Sequence, residues 1–338
     1  MSLNQKVLDY ILNQTGDFNQ LALETFAHQY QQCKPYQEYC RKLNQTPENI
    51  DAWQEIPPVS TEVFREFDLC TLPPETARYV FQTSGTSQEK KGKHYYHDMT
   101  LYDASIQASF MQGMGLSSKD RATFRILTPS FSEVPTSSLF YMFQKVLEWY
   151  GNTSSQFYSQ DYAGLTKHLL NDTQKSHPVI LLGTAFSFVN FFDYLNDKNI
   201  ALKLPKESKL LETGGLKGRT RHVSREALYQ LFNTQLGLES EHCFSEYGMT
   251  ELSSQCYGKP NSHVFFSPPW MPVRIIHPEK DHEVAIGETG LVQFFDLANT
   301  TALSAILTSD LAIKHPQGFE LVGRSPHAIL RGCSTVFE

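Results

Sequence analysis

Short apolar runs alternate with helical segments through the middle of the chain, and this alternation constrains the fold more than any other feature. The runs at residues 125–127 and 179–182 have the length and composition of buried strands. Each is followed by proline or glycine and then by a segment with helical spacing. This pattern favours an α/β fold with a mostly parallel sheet, in which ligands bind at the carboxyl ends of strands. Within it, Thr100 is predicted to N-cap a helix that ends near Gly115.

The two ends of the chain have sequence patterns that differ from that of the middle. Apolar residues recur at helical spacing through residues 5–43, and proline pairs then punctuate an irregular stretch. After about residue 262, proline-rich turns separate strand-like runs, which lie at residues 273–276, 291–295, 305–308 and 319–322. We therefore predict an N-terminal helical segment (1–75), an α/β core (76–260) and a small β-rich subdomain with a C-terminal tail (261–338).

The composition narrows the class of protein. The chain has 338 residues, of which 40% are hydrophobic and 19% charged, as is ordinary for a globular enzyme. The net charge of −7 is opposite in sign to the charge expected of a protein that binds nucleic acid or an anionic membrane. Neither a secretion leader nor a membrane span is expected. The six cysteines form no Cys-x-x-Cys pair, which favours reduced thiols and a cytoplasmic location.

Three polar segments, far apart in the sequence, together predict a nucleotide site. Thr83-Ser84-Gly85-Thr86-Ser87 is rich in hydroxyls and small residues, so its backbone N–H groups can close around a triphosphate. Tyr247-Gly248-Met249-Thr250-Glu251 offers an aromatic face for a base, a hydroxyl for a phosphate and a carboxylate for Mg²⁺. Thr308-Ser309-Asp310 adds a carboxylate for ribose hydroxyls.

Each segment also has a plainer interpretation. A cluster such as residues 83–87 is commonly a simple turn, and its spacing is not that of a Walker loop. Lys90 and Lys91 can neutralise phosphates or be solvated charges, and the sequence leaves both open. His94 and His97 can line an acyl site, although exposed positions are favoured for both. The combination and order of the segments, rather than any one of them, favours a nucleotide site.

This order and spacing resemble the acyl-adenylate-forming superfamily, which includes acyl-CoA ligases, luciferases and peptide-synthetase adenylation domains. In that superfamily a loop of Thr-Ser-Gly-Thr-Thr-Gly type precedes Lys-Gly, as residues 83–87 precede Lys91-Gly92. A Gly-Gly turn precedes Tyr-Gly-x-Thr-Glu, and here Gly215 of the pair Gly214-Gly215 lies 32 residues before Tyr247. The ribose-binding Asp and a following Gly-Arg pair match Asp310 and Gly323-Arg324.

The resemblance implies ATP and Mg²⁺, with a role for each matched residue. It assigns the phosphates to residues 83–87 and Lys91, and the α-phosphate to Thr250. It places adenine between Tyr247-Gly248 and the Gly214-Gly215 turn, and the ribose at Asp310 with Arg324 nearby. It makes Glu251 the ligand of Mg²⁺.

One branch of the superfamily, the LuxE family of acyl-protein synthetases, is similar to this chain in length and in lacking the mobile C-terminal lid with its lysine. Ser325-Pro326-His327 stands where the hinge Asp is expected. Members of the branch become acylated on a cysteine near the C-terminus, and Cys333 lies at the matching place. A cysteine packed under the last strand is the plainer interpretation. The resemblance implies that a carboxylic acid, expected to be a fatty acid, is activated as acyl-AMP and transferred to the Cys333 thiol.

Two other functions stay open at this point. The first is an acyl- or aryl-CoA ligase of the same fold, similar to phenylacetate-CoA ligases, with an external thiol. The second is a non-catalytic, nucleotide-binding scaffold subunit, favoured by the missing lid lysine. The expected partners are the carboxylic acid and an acyl-accepting reductase or carrier protein.

Overall fold

The computed structural model describes residues 1–84, 90–116, 121–214, 224–280 and 282–325. Within these ranges the chain forms eight α-helices and fourteen strands in a mixed α/β fold. The helices are α1 (Leu3–Asn13), α2 (Phe18–Gln32), α3 (Lys34–Lys42), α4 (Thr100–Met114), α5 (Ser138–Tyr150), α6 (Tyr162–Gln174), α7 (Ala185–Asp197) and α8 (Arg225–Leu236). The strands are β1 (Val59–Ser60), β2 (Tyr79–Gln82), β3 (Lys93–Tyr96), β4 (Thr123–Ile126), β5 (Gln156–Phe157), β6 (Val179–Thr184), β7 (Lys209–Thr213), β8 (Cys243–Tyr247), β9 (Cys256–Gly258), β10 (Val264–Phe266), β11 (Val273–Ile276), β12 (Thr289–Phe295), β13 (Ala305–His315) and β14 (Gly318–Arg324).

Small polar residues begin most of these helices. Their side chains accept a hydrogen bond from a backbone N–H of the first turn, which would otherwise be unpaired. The capping residues are Ser2, Asp17, Ser137, Asp161, Thr184 and Ser224. The prediction that Thr100 caps α4 is wrong. Thr100 is the first helical residue, and its N–H donates to Oδ1 of Asp98 at 2.8 Å.

One half of the large sheet is parallel, as predicted. Strands β5, β4, β6, β7 and β8 lie side by side in that order and run in the same direction. The residues of β6 and β7 are buried along nearly their whole length, as expected for strands covered on both faces. The carboxyl ends of these strands lie at one edge, where Gly214 follows β7 and Tyr247 is the last residue of β8.

The β-rich part continues the same sheet in antiparallel fashion. Strand β9 pairs with β8, and β10, β14, β13, β12 and β11 follow in that order. All four strand-like runs predicted after residue 262 lie within strands. Strand β1 pairs in parallel with β13, and a short 3₁₀-helix, Thr61–Arg65, follows it directly.

The N-terminal helices pack on the β-rich strands and share one hydrophobic core with them. Phe18 of α2 meets Phe295 of β12 edge to face, with ring centroids 6.0 Å apart. Buried Gln29 donates from Nε2 to the Asn299 carbonyl at 2.8 Å and to Ser304 Oγ at 2.9 Å. The division of the chain at residues 75 and 260 stays a prediction.

Candidate active site

The residues predicted to flank adenine lie where β7 and β8 end. Thr213 pairs with Glu246 in parallel register, which brings Gly214 beside Tyr247. Gly214 has φ +77° with open space where a Cβ would stand, so the turn needs glycine for its backbone conformation and leaves room beside it. Gly215 lies outside the described residues.

Tyr247, Asp310 and Arg324 form one hydrogen-bonded group. The Tyr247 hydroxyl donates to Oδ2 of Asp310 at 2.8 Å, and Nε–H of Arg324 donates to Oδ1 at 2.8 Å. Asp310 lies on β13 directly opposite Arg324 on β14. Three residues that the sequence placed in one nucleotide site are therefore in contact. The side chain of Asp310 is only 11% exposed, whereas that of Arg324 is exposed to solvent.

Thr250 links this group to the base of the phosphate loop. Its hydroxyl donates to the Gln82 carbonyl at 3.4 Å, one residue before Thr83. The Thr83 N–H donates to the Gly92 carbonyl at 3.0 Å, and the Gly92 N–H donates to the Thr83 hydroxyl at 3.0 Å. These bonds join the two ends of the loop, and Ser84, the residue after Thr83, is exposed. Gly85, Thr86 and Ser87 lie outside the described residues.

The two lysines of the loop are solvent-facing. Lys90 pairs with Glu66 at 3.0 Å, and both side chains are largely exposed. Lys91 is exposed next to it. Both exposed positions are compatible with a lysine that binds a phosphate and with a lysine that is only solvated.

Glu251 is a buried carboxylate with few compensating contacts. It is 7% exposed, and in the described part of the chain its side chain makes no ion pair within 4 Å. Burial raises the pKa of Glu251 to about 7, and Arg65 and Arg324 only partly oppose this effect. The described residues contain no group of three metal-ligating side chains. One carboxylate with phosphate oxygens and water is the set that Mg²⁺ uses in nucleotide sites, so Glu251 fits such an ion.

His94 is buried, and the expectation of an exposed position is wrong for this residue. It is 1% exposed, stacks on Tyr96 with ring centroids 4.3 Å apart, and Nδ1 lies 2.8 Å from the Thr250 carbonyl. Burial lowers the pKa of His94 to about 4, so the ring is neutral and donates from Nδ1. His94 therefore fixes the backbone of the segment that carries Thr250 and Glu251.

Sequence reasoning missed two buried carboxyls beside the adenine turn. Glu212 accepts from Ser245 Oγ at 2.6 Å, and Glu246 accepts from the Thr213 hydroxyl on the other face of the sheet. A Cβ on Gly248 would lie 2.5 Å from Oε1 of Glu246, so the glycine gives this carboxyl its space. Burial raises the pKa of Glu246 to about 7. The sequence feature that could have revealed these two carboxyls is a glutamate near the end of each of two adjacent apolar strands.

The described cysteines are free thiols, and all five are buried: Cys33, Cys40, Cys70, Cys243 and Cys256. Burial raises the pKa of Cys243 to about 12 and that of Cys256 well above its usual value. A thiol is nucleophilic only as the thiolate, so these two are poor acyl acceptors although they lie near the nucleotide segments. Cys333 lies outside the described residues.

Comparison with solved structures defines the class of fold. An open conformation of 2-hydroxyisobutyryl-CoA ligase, in complex with 2-HIB-AMP and CoA, matches with a TM-score of 0.67 at 14% identity. The match covers 90% of this chain and 74% of that one. An ATP-bound RpMatB-BxBclM chimera matches with a TM-score of 0.51 at 12% identity, over 75% of this chain and 49% of the chimera. The chain has the fold of the acyl-adenylate-forming ligases, as predicted.

The chain belongs to the family of acyl-protein synthetases described as "Acyl-protein synthetase, LuxE", whose model matches residues 6–338. It is similar to the long-chain-fatty-acid–luciferin-component ligase of Aliivibrio fischeri, with 22% identity over 331 residues. That alignment covers 94% of this chain and 86% of the relative. The predictions of a ligase and of the LuxE family are confirmed. Among the residues that the structure describes, no helix has the length and apolar character to cross a membrane.

Proposed function

We propose that the chain activates a fatty acid with ATP and transfers the acyl group to the thiol of Cys333. The observation that carries this proposal is the position of the segment Tyr247 to Glu251. Its first residue is hydrogen-bonded to Asp310, and its fourth to the Gln82 carbonyl at the base of the phosphate loop. The residue that we assign to the ribose and the loop that we assign to the triphosphate are therefore both contacted by one short stretch of chain.

In the first reaction the carboxylate oxygen of the acid attacks the α-phosphorus of ATP, and pyrophosphate leaves. Asp310 accepts hydrogen bonds from the ribose hydroxyls, and Thr250 donates to the α-phosphate. The loop at residues 83–87 and Lys91 bind the β- and γ-phosphates. Glu251 would hold Mg²⁺, which when bound would supply positive charge near the pyrophosphate. His94 keeps the backbone of Thr250 in position, and the Thr250 hydroxyl leaves the Gln82 carbonyl when it donates to the α-phosphate.

In the second reaction the Cys333 thiolate attacks the carbonyl carbon of the acyl-AMP. A thioester bond forms, the mixed anhydride breaks and AMP leaves with the electron pair. The burial of the five described cysteines supports Cys333 as the acceptor, because their thiols are costly to ionise. The name of the Aliivibrio relative supports a long-chain fatty acid as the substrate. An acyl-accepting reductase or carrier protein would take the group onward.

Two assays on the purified chain test the two reactions separately. Exchange of labelled pyrophosphate into ATP that depends on an added fatty acid is expected, and its absence over a panel of fatty, aryl and amino acids would exclude activation. With labelled acid, a hydroxylamine-sensitive label should appear on the wild type and on Cys70→Ser, which serves as the matched control. Cys333→Ser should keep the exchange and lose the label. A label that persists on Cys333→Ser would exclude this acceptor.

A further inference from the structure

The 3₁₀-helix Thr61–Arg65 is held between the two halves of the candidate site. Before it, Val59 and Ser60 of β1 pair with Ile306 and Leu307 of β13, so the helix begins alongside the residues that lead to Asp310. On its other side, Phe64 lies against Gly92 of the phosphate-loop base: a Cβ on Gly92 would be 3.5 Å from Cβ of Phe64. Both the ribose strand and the loop base therefore fix this helix.

The helix ends in an arginine with an unusual environment. In the described part of the chain Arg65 is the one arginine whose side chain has no hydrogen bond, ion pair or aromatic-ring contact. It is half-buried, and its charge acts on the buried carboxylate of Glu251. A guanidinium that is partly removed from water and lacks a partner is costly unless an anion completes its surroundings.

We propose that Arg65 is a phosphate-binding residue of this site, where its guanidinium binds the β- and γ-phosphates of ATP and then the departing pyrophosphate. This inference rests on the proposed function. The planar fork of arginine donates two parallel hydrogen bonds to phosphate oxygens and remains charged at any working pH. The site would otherwise hold about four negative phosphate charges against one divalent ion and an exposed lysine. A fixed cation that meets the charge developing on pyrophosphate lowers the barrier to its departure.

The position of the helix predicts which ligands Arg65 distinguishes. Its helix contacts Gly92 at the loop base and its charge acts on Glu251, and a guanidinium that binds the β- and γ-phosphates makes no such contact with AMP, which lacks them. Arg65→Gln should therefore weaken ATP and pyrophosphate binding about tenfold or more, the usual worth of a charge-assisted hydrogen bond, and leave AMP affinity within about twofold. Arg65→Lys should recover part of the loss, because it keeps the charge and loses the fork.

Calorimetric titration of the full chain with ATP and AMP, together with pyrophosphate exchange, tests this assignment. Arg78→Gln is the matched control, since Arg78 is the next arginine along the chain and its exposed side chain lies over the Tyr79 ring, and it should bind both nucleotides as the wild type does. Unchanged ATP affinity in Arg65→Gln, or an equal loss for ATP and AMP, overturns the phosphate role while leaving the proposed function intact. A wild-type chain that binds no ATP overturns the proposed function and this inference together. If thermal melting shows that Arg65→Gln is unfolded, the ratio of ATP to AMP affinity is measured in Arg65→Lys instead. A ratio below that of the wild type supports the phosphate role, and an unchanged ratio overturns it.

Discussion

The buried side chain of Glu251 predicts how the reaction depends on Mg²⁺. Its carboxylate is buried with no ion-pair partner within 4 Å in the described chain, so a divalent cation would complete its surroundings. Glu251→Gln should reduce Mg²⁺-dependent pyrophosphate exchange by about a hundredfold or more, the typical worth of one charged transition-state contact. It should also raise the Mg²⁺ concentration that gives half the maximal rate. Glu212→Gln, another buried glutamate of the sheet, is the control and should not change that concentration. Wild-type Mg²⁺ dependence in Glu251→Gln would remove the metal role.

Glu246 makes stability depend on pH. Its folded-state pKa is about 7, above the ordinary value of 4.5, because burial disfavours the carboxylate. A raised pKa means that the folded state holds the proton more tightly, so this stabilisation is complete below pH 4.5 and is lost as the pH rises through 7. Glu246→Gln stays neutral, and its free energy of unfolding relative to wild type should rise by about 3 kcal/mol between pH 5 and pH 8. Urea unfolding at several pH values measures this, with exposed Glu75→Gln as control. Parallel curves for Glu246→Gln and wild type would contradict it.

At the level of residues, the sequence predicted which side chains lie close together but not the hydrogen bonds that they form. Tyr247, Thr250 and Asp310 are brought together as their motifs indicated. The Tyr247–Asp310 hydrogen bond was not foreseeable, because it depends on the register of two strands that are 63 residues apart in the chain. Arg65 was missed for a similar reason. It stands in a stretch without periodicity, and only the pairing of β1 with β13 carries it to the site.

Elements were predicted well where a short apolar run is bounded by turn residues. The runs at residues 179–182 and 273–276 are strands, the first buried along its length and the second buried at Ile275 and Ile276. Strands β9 and β10 were missed, since three residues are too few to show an alternation. Strand β13 has eleven residues, and its bulge at Leu311/Ala312 breaks the period beyond the predicted run.

The contact of α4 with β9 is close enough to predict the effect of one methyl group. A Cβ on Gly113 would lie 2.3 Å from the Tyr257 ring, so Gly113→Ala must shift the helix from the strand. Overpacking of this kind costs about 1–3 kcal/mol of unfolding free energy, more than the helix propensity gained. Denaturant unfolding should show this loss in Gly113→Ala, whereas exposed Gln112→Ala on the same helix should remain near wild type. Equal stabilities would mean that α4 and β9 are further apart than described.

Across the whole molecule, α2 and the β-rich strands are coupled by buried hydrogen bonds. Gln29 binds the Asn299 carbonyl and Ser304, and Asn299 Nδ2 donates to the Glu251 carbonyl at 2.8 Å. Gln29→Leu would leave the Ser304 N–H, which donates to Gln29 Oε1 at 3.2 Å, without its acceptor, at a cost of about 1–3 kcal/mol, whereas the Asn299 carbonyl still accepts from Ser304 Oγ. Exposed Gln20→Ala on α2 is the control and should unfold as wild type does.

The shared core predicts that Gln29→Leu weakens both ends of the chain together. Single-tryptophan versions that retain Trp53 or Trp270 can report the two ends separately. Their urea midpoints should fall by the same amount. A midpoint that falls for Trp53 alone would show that the N-terminal helices unfold independently of the β-rich strands.

The end of β14 beside β13 has a consequence for the kinetics of acylation. The Ser325 N–H donates to the Ser309 carbonyl at 2.8 Å, so the chain leaves the sheet next to Asp310. Cys333 is eight residues further on, and covalent geometry alone keeps its Cα within about 29 Å of that anchor. A thiol tethered so closely has an effective local concentration in the millimolar range. Self-acylation should therefore follow first-order kinetics whose rate constant does not change when the protein is diluted.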